Sequence, residues 1–140
     1  MKNAIVTGAT KGIGLAIARM LLNRGYHVTI TYSHDEASAE ACREELLKIA
    51  PHFEIVRADQ SDKEAMREFS LKMISERETI DCIVCNTGTT LRCSLDEITD
   101  EAWERTMQVN VNSSLYLVRD LFRKIPANSR IIFIGSLMGI

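Results

Sequence analysis

The stretch Thr7-Gly8-Ala9-Thr10-Lys11-Gly12-Ile13-Gly14 decides the fold, because it follows the apolar run Ala4-Ile5-Val6 and places three glycines where a strand should end. Beyond it, Ile13, Ala16, Ile17, Met20 and Leu21 recur at helical spacing, which predicts a helix with those residues on one face and Gly25 as its stop. A strand that turns directly into a helix aims the helix's free N–H groups, and the positive end of its dipole, at whatever lies above the turn. A diphosphate suits that position. Gly8 permits the tight turn, while Gly12 and Gly14 let the backbone approach a ligand and the helix pack on the strand.

Outward from this stretch, runs rich in branched residues recur at NAIVT, HVTITY, FEIVRA, DCIVCN and RIIFIG, with helical rhythms between them. A second helix is expected from about Asp35 to Ile49, before Pro51. Ser61 with Glu64 reads as a capping box for a third, with Met66, Phe69, Met73 and Ile74 inside; Ser94 with Glu97 opens a short helical turn. A long helix from about Asp100 to Lys124 stops before Pro126. Strands separated by helices pair in parallel through right-handed crossovers, so the expected fold is an α/β doubly wound parallel sheet of five strands, without internal repeat, linker or domain boundary. Ligands of such sheets bind beyond the carboxyl ends of the strands, where the glycine turn lies.

Composition removes several classes. The 140 residues carry a formal charge of −2, and Lys and Arg are scattered, so no footprint for nucleic acid exists. No apolar run suits a signal peptide or a membrane span, so a cytoplasmic protein with reduced thiols is expected. Cys82 and Cys85 form a C-x-x-C, but they lie three apart on a strand and no second pair completes a zinc site; no metal is expected. The glycine spacing, Gly8-x-x-x-Gly12-x-Gly14, is not that of a P-loop, since Lys11 is followed by glycine. A serine hydrolase elbow would need glycine in place of Ile134.

The stretch resembles the dinucleotide loop, T-G-x-x-x-G-x-G, of the short-chain dehydrogenase/reductase family, and four further motifs follow in that family's order. Asp59 in ADQSD resembles the aspartate that bonds the adenine amino group. Cys85-Asn86-Thr87-Gly88 resembles Asn-Asn-Ala-Gly, with Cys85 and Thr87 as departures, and Gln60 stands where an apolar residue is usual. Trp103 and Asn110 match the long-helix pattern, and RIIFIGS matches the strand leading to the active-site serine. The spacing from Asn110 to Tyr116 exceeds the pattern by one residue, which keeps Asn112 as a rival.

The resemblance implies a Rossmann domain over residues 1–140 and hydride transfer between a nicotinamide and a carbonyl or alcohol carbon. It assigns Ser136 and Asn110 to catalysis. To the cofactor it assigns Gly8, Thr10, Lys11, Gly12, Ile13, Gly14, Tyr32, Ser33, Asp59, Gln60, Asn86 and Gly88. Preference for NAD would need a carboxylate at the end of the second strand. Tyr32 and Ser33 stand there instead, and Lys11 can meet a 2′-phosphate, so NADP is expected; Asp35 and Glu36 read as first-turn helix charges.

The family's Tyr-x-x-x-Lys proton donor falls about a dozen residues after the serine, and the chain stops at Ile140 on the apolar LMGI. These residues are therefore expected to be the cofactor-binding half of a longer reductase, inactive alone. A non-catalytic NADP(H)-binding module is the alternative. The substrate class implied is a small-molecule or carrier-bound carbonyl, with 3-oxoacyl groups on a carrier protein favoured. Pairing of subunits through the long helix is expected, as a homo-oligomer.

Overall fold

The computed structural model describes residues 1–137. Of the apolar ending, Met138, Gly139 and Ile140 lie outside the described residues. The elements alternate: β1 (Asn3–Val6), α1 (Gly12–Asn23), β2 (His27–Tyr32), α2 (Glu36–Leu47), β3 (Phe53–Arg57), α3 (Lys63–Glu76), β4 (Cys82–Cys85). A 3-10 turn (Leu95–Glu97), α4 (Asp100–Met107), a π turn (Gln108–Asn112), α5 (Ser113–Leu121), a second 3-10 turn (Phe122–Lys124) and β5 (Arg130–Phe133) complete the series.

All strand pairs are parallel, and the order is β3-β2-β1-β4-β5. The order reverses between β1 and β4, which opens a crevice beside the glycine turn. Alternation along β1 divides the core: Ala4 and Val6 pack with α1, α2 and β2, while Ile5 packs with α3 and α5. The same alternation sends Cys82 and Cys85 to opposite faces of β4. Burial raises both thiols, and it pushes Cys42 up to about 11, so the three buried cysteines are inert packing residues. Among the described residues no helix is long and apolar enough to cross a membrane, and no three ligating side chains gather for a metal.

Four local expectations are corrected. The buried face of α1 is Gly14, Ala18, Leu21 and Leu22, whereas Ile13 and Met20 are exposed. The helix is apolar nearly all round, so periodicity alone does not choose its inner face. The cap of α3 is Asp62, which accepts from Glu64 N and Ala65 N, because Ser61 is already held by Asp59. Ser94 does precede a helical turn, but its side chain makes no capping bond. Finally, the long helix is interrupted by the π turn. The second helix opens as read, with Asp35 as its cap accepting from Ser38 N.

Strand β5 forms one edge, and Ile131, Ile132 and Phe133 on it are exposed, as is Ile134 just beyond it. Parallel strands are normally covered on both faces.

Candidate functional site

The glycine turn is held from below by small polar residues on neighbouring strands. Thr7 Oγ1 accepts from the backbone N–H of Asn86 (3.0 Å) and Thr87 (3.2 Å). Asn86 returns two bonds through Nδ2, to the carbonyls of Thr7 (3.2 Å) and Gly8 (3.0 Å). On the other side Gly8 N donates to Thr31 Oγ1 and Ala9 N donates to the Thr31 carbonyl. Thr7 and Thr31 were not singled out in the sequence, and only their place at strand ends beside the turn could have marked them.

The glycines divide the labour. Gly8 and Gly12 have φ near +60°, a region that costs other residues about 1–2 kcal/mol. At Gly14 a Cβ would lie 2.6–2.7 Å from Asn86 Nδ2, Ala9 Cα and the Gly8 carbonyl, so its bareness serves helix-to-strand packing. At Gly12 a Cβ would meet nothing within 4 Å. Gly12 is the first residue of α1, whose first N–H groups have no intrahelical partner.

Two clefts border this point. The larger, about 700 Å³, is lined by Ile13, Asn86, Thr87, Gly88, Thr89, Thr90, Asn110, Ile134, Gly135 and Ser136. It thus joins the exposed Ile13 to the two residues assigned to catalysis. Asn110, not Asn112, reaches it. Asn110 lies within the π turn, Gln108–Asn112. The Asn110 side chain is committed to backbone: Oδ1 accepts from Thr89 N and Nδ2 donates to the Thr89 carbonyl, both at 2.8 Å.

The smaller cleft, about 280 Å³, is lined by Gly8, Thr10, Lys11, Tyr32, Ser33, His34 and Asp35. Lys11 Nζ lies 3.1 Å from Asp35 Oδ2. The Ser38 backbone and hydroxyl, and then Lys11, hold the Asp35 carboxyl at about 2. Tyr32 donates to Glu36 Oε2 (2.6 Å), which raises the phenol above its usual range. Beside them Asp59 accepts twice on Oδ1 from Ser61, and its Oδ2 lies 2.9 Å from His34 Nε2. Burial pushes the Asp59 carboxyl upward, but the Ser61 bonds and the His34 and Arg105 charges outweigh it and hold it low. Arg57 Nε donates to the Ser33 carbonyl (2.9 Å), and its Nη2 lies 3.4 Å from His34 Nδ1.

His34 and Arg57 were absent from the sequence-derived site. The parallel register Tyr32↔Arg57 is the signal that finds Arg57. Gln60 departs in the other direction: it is 2 % exposed, and its side chain turns inward to Ser113 rather than toward either cleft.

A twisted parallel sheet with a bare-backbone turn at its switch point, flanked by two clefts, is a nucleotide-binding architecture. The short-chain dehydrogenase family matches residues 2–140, and the chain belongs to that family. A short-chain dehydrogenase/reductase of Cladobotryum is 38 % identical over 97 % of this chain and 53 % of its own length. A 3-oxoacyl-carrier-protein reductase of Rickettsia conorii is 33 % identical, over 99 % of this chain and 55 % of its own. Among solved structures, a short-chain dehydrogenase of Burkholderia cenocepacia in complex with NADP superposes with a TM-score of 0.90 at 30 % identity, covering 98 % of this chain and 56 % of that one. The chain thus spans about half the length of the relatives it matches.

Proposed function

We propose that this chain is the cofactor-binding half of an NADP-dependent oxidoreductase that interconverts a carbonyl and an alcohol. The observation that carries the reading is Gly12, whose missing side chain leaves open space in front of the α1 N-terminus, between the two clefts. A diphosphate fits there, held by backbone N–H groups and the helix dipole. Lys11 and Ser33 in the smaller cleft would meet the 2′-phosphate, and Asp59 with its neighbours the adenine side. The nicotinamide side would then lie toward Ile13, Asn86, Gly88, Asn110 and Ser136.

When bound, NADPH would supply the hydride to the carbonyl carbon and NADP⁺ would accept it from the alcohol carbon. Ser136 donates a hydrogen bond that orients the carbonyl oxygen. Asn110, with its side chain clamped on Thr89, offers its backbone to a water of the proton relay. The proton donor belongs to the rest of a longer parent chain, in keeping with the exposed β5 edge and the half-length coverage of relatives. None of Tyr26, Tyr32 and Tyr116 lines the larger cleft, so these 140 residues bind but do not turn over. A 3-oxoacyl group on a carrier protein is the substrate we favour, on the likeness to the Rickettsia conorii reductase. The proposal includes a cytoplasmic setting and pairing of two copies through α5, where Leu115 is exposed, as is Phe122 in the 3-10 turn that follows.

NADPH fluorescence titration tests the reading: saturable binding without oxidation in the presence of a 3-oxoacyl thioester is expected. Failure to bind would sink it, and turnover by the chain alone would refute the division of labour.

A further inference from the structure

Gln60 is an assigned site residue whose side chain lines neither cleft, yet its amide is tied to the site. Gln60 and Ser113 are both buried, at 2 % and 0 % exposure. Ser113 has a single hydroxyl proton and gives it to the Val109 carbonyl at 2.9 Å. The contact between Ser113 Oγ and Gln60 Nε2, 2.8 Å long, must therefore have Gln60 as donor, which fixes the orientation of its amide. Gln108 Nε2 reaches back to the Gln60 carbonyl at 3.4 Å. Gln108 and Val109 belong to the π turn, and the next residue is Asn110, whose side chain clamps Thr89 in the wall of the larger cleft. Gln60 Oε1 is buried and has no partner among the described residues. An apolar side chain there would relieve that cost but break the tie.

We propose that Gln60 is a positioning residue: it contacts no ligand, but it anchors the π turn of Asn110 to the end of β3 and thereby holds the wall of the larger cleft. The chain of contacts is continuous, from Gln60 through Ser113 to the Val109 carbonyl, then Asn110 and Thr89. The consequence for binding rests on the cofactor reading above. Loss of Gln60 should loosen the nicotinamide side while leaving the adenosine side, built on Lys11, Ser33 and Asp59, intact.

The test measures two ligands on the 140-residue chain, NADPH and 2′,5′-ADP, with Gln60→Leu, Ser113→Ala and the double variant. Each single variant should weaken NADPH about fivefold and leave 2′,5′-ADP within about twofold. The double variant should be no weaker than the singles, because both cut one link. Parallel weakening of both ligands would reduce Gln60 to a residue that holds the fold, and unchanged NADPH affinity would overturn the proposal. If the unaltered chain binds no 2′,5′-ADP, the cofactor reading falls, and amide hydrogen exchange decides the tie by itself. Gln60→Leu must then speed exchange over residues 108–113 by about tenfold with β2 unaffected; uniform or absent change refutes it.

Discussion

Replacing each loop glycine by alanine separates packing from ligand approach. At Gly14 the new methyl would sit 2.6–2.7 Å from three atoms, of which Ala9 Cα and the Gly8 carbonyl are backbone and cannot swing aside. Overpacking of this kind costs about 1–3 kcal/mol, and rigid neighbours put Gly14→Ala at the upper end, about 3 kcal/mol. At Gly12 nothing lies within 4 Å, so only the φ of +59° is charged against the variant, about 1–2 kcal/mol. For a chain of this size 1 kcal/mol moves Tm by about 3 °C, so Gly14→Ala should melt about 9 °C lower and Gly12→Ala about 3–6 °C lower. Binding should rank the other way among folded molecules. The Gly12 methyl would occupy the space assigned to the diphosphate and cost about tenfold or more in NADPH affinity, by displacing charge-assisted bonds to backbone N–H groups. The assays are thermal melting and NADPH fluorescence titration at a temperature where both variants are folded. A Gly12→Ala chain that binds NADPH like the parent, or melts below Gly14→Ala, refutes the reasoning.

Lys11→Ala should weaken 2′,5′-ADP about tenfold while leaving 5′-ADP unchanged, read by calorimetric titration, since Lys11 would address the 2′-phosphate alone. The fold should also lose stability in mild acid through His27, whose pKa is lowered by burial and then by the Arg77 and His52 charges, against Glu54. The unfolded chain takes up a proton that the folded chain resists, so stability falls as pH drops below the ordinary value of 6.5 and levels once the folded pKa is passed. Urea melts across that range should show the slope, and His27→Gln should flatten it; an unchanged slope would remove His27 as its source. On the pairing proposed through α5, the parent chain should sediment as a dimer and Leu115→Glu as a monomer, since Leu115 is exposed on that helix; a monomeric parent removes the pairing.

The inner strands were legible because buried parallel strands demand continuous branched runs; β5, though exposed, coincides with the run RIIFIG. The turn was legible because glycine is needed where φ is positive or a neighbour is close, and Gly8, Gly12 and Gly14 meet one or both conditions. The inner face of α1 was not, for a reason that concerns function: Ile13 belongs to an apolar surface that borders a cleft, and periodicity treats a ligand wall and a core alike. Ser61 and Asp62 are adjacent and both suit a cap, and the choice is made by Asp59, which draws Ser61 away. The π turn at Gln108–Asn112 has no signature in helix propensity.

The charges around the smaller cleft follow a further pattern that composition conceals. Lys11 pairs with Asp35 and Arg57 with Glu36, and the His34 ring lies against Asp59, so both Lys11 and Arg57 at this mouth have a carboxylate partner. A phosphate arriving there exchanges one anionic partner for another instead of filling an open positive patch. Its affinity is then set by the difference between two sets of contacts, and Asp35, already held by Ser38, is the partner that can release its cation without being left uncompensated. On the proposed cofactor reading the selective burden falls on Lys11, whose ammonium would pass from Asp35 to the phosphate. Arg57 is braced by the Ser33 carbonyl and serves to hold the strand ends in place. The same exchange makes binding less sensitive to salt than an unpaired cluster would be, because screening weakens the pairs that compete with the phosphate as well as the phosphate contacts themselves.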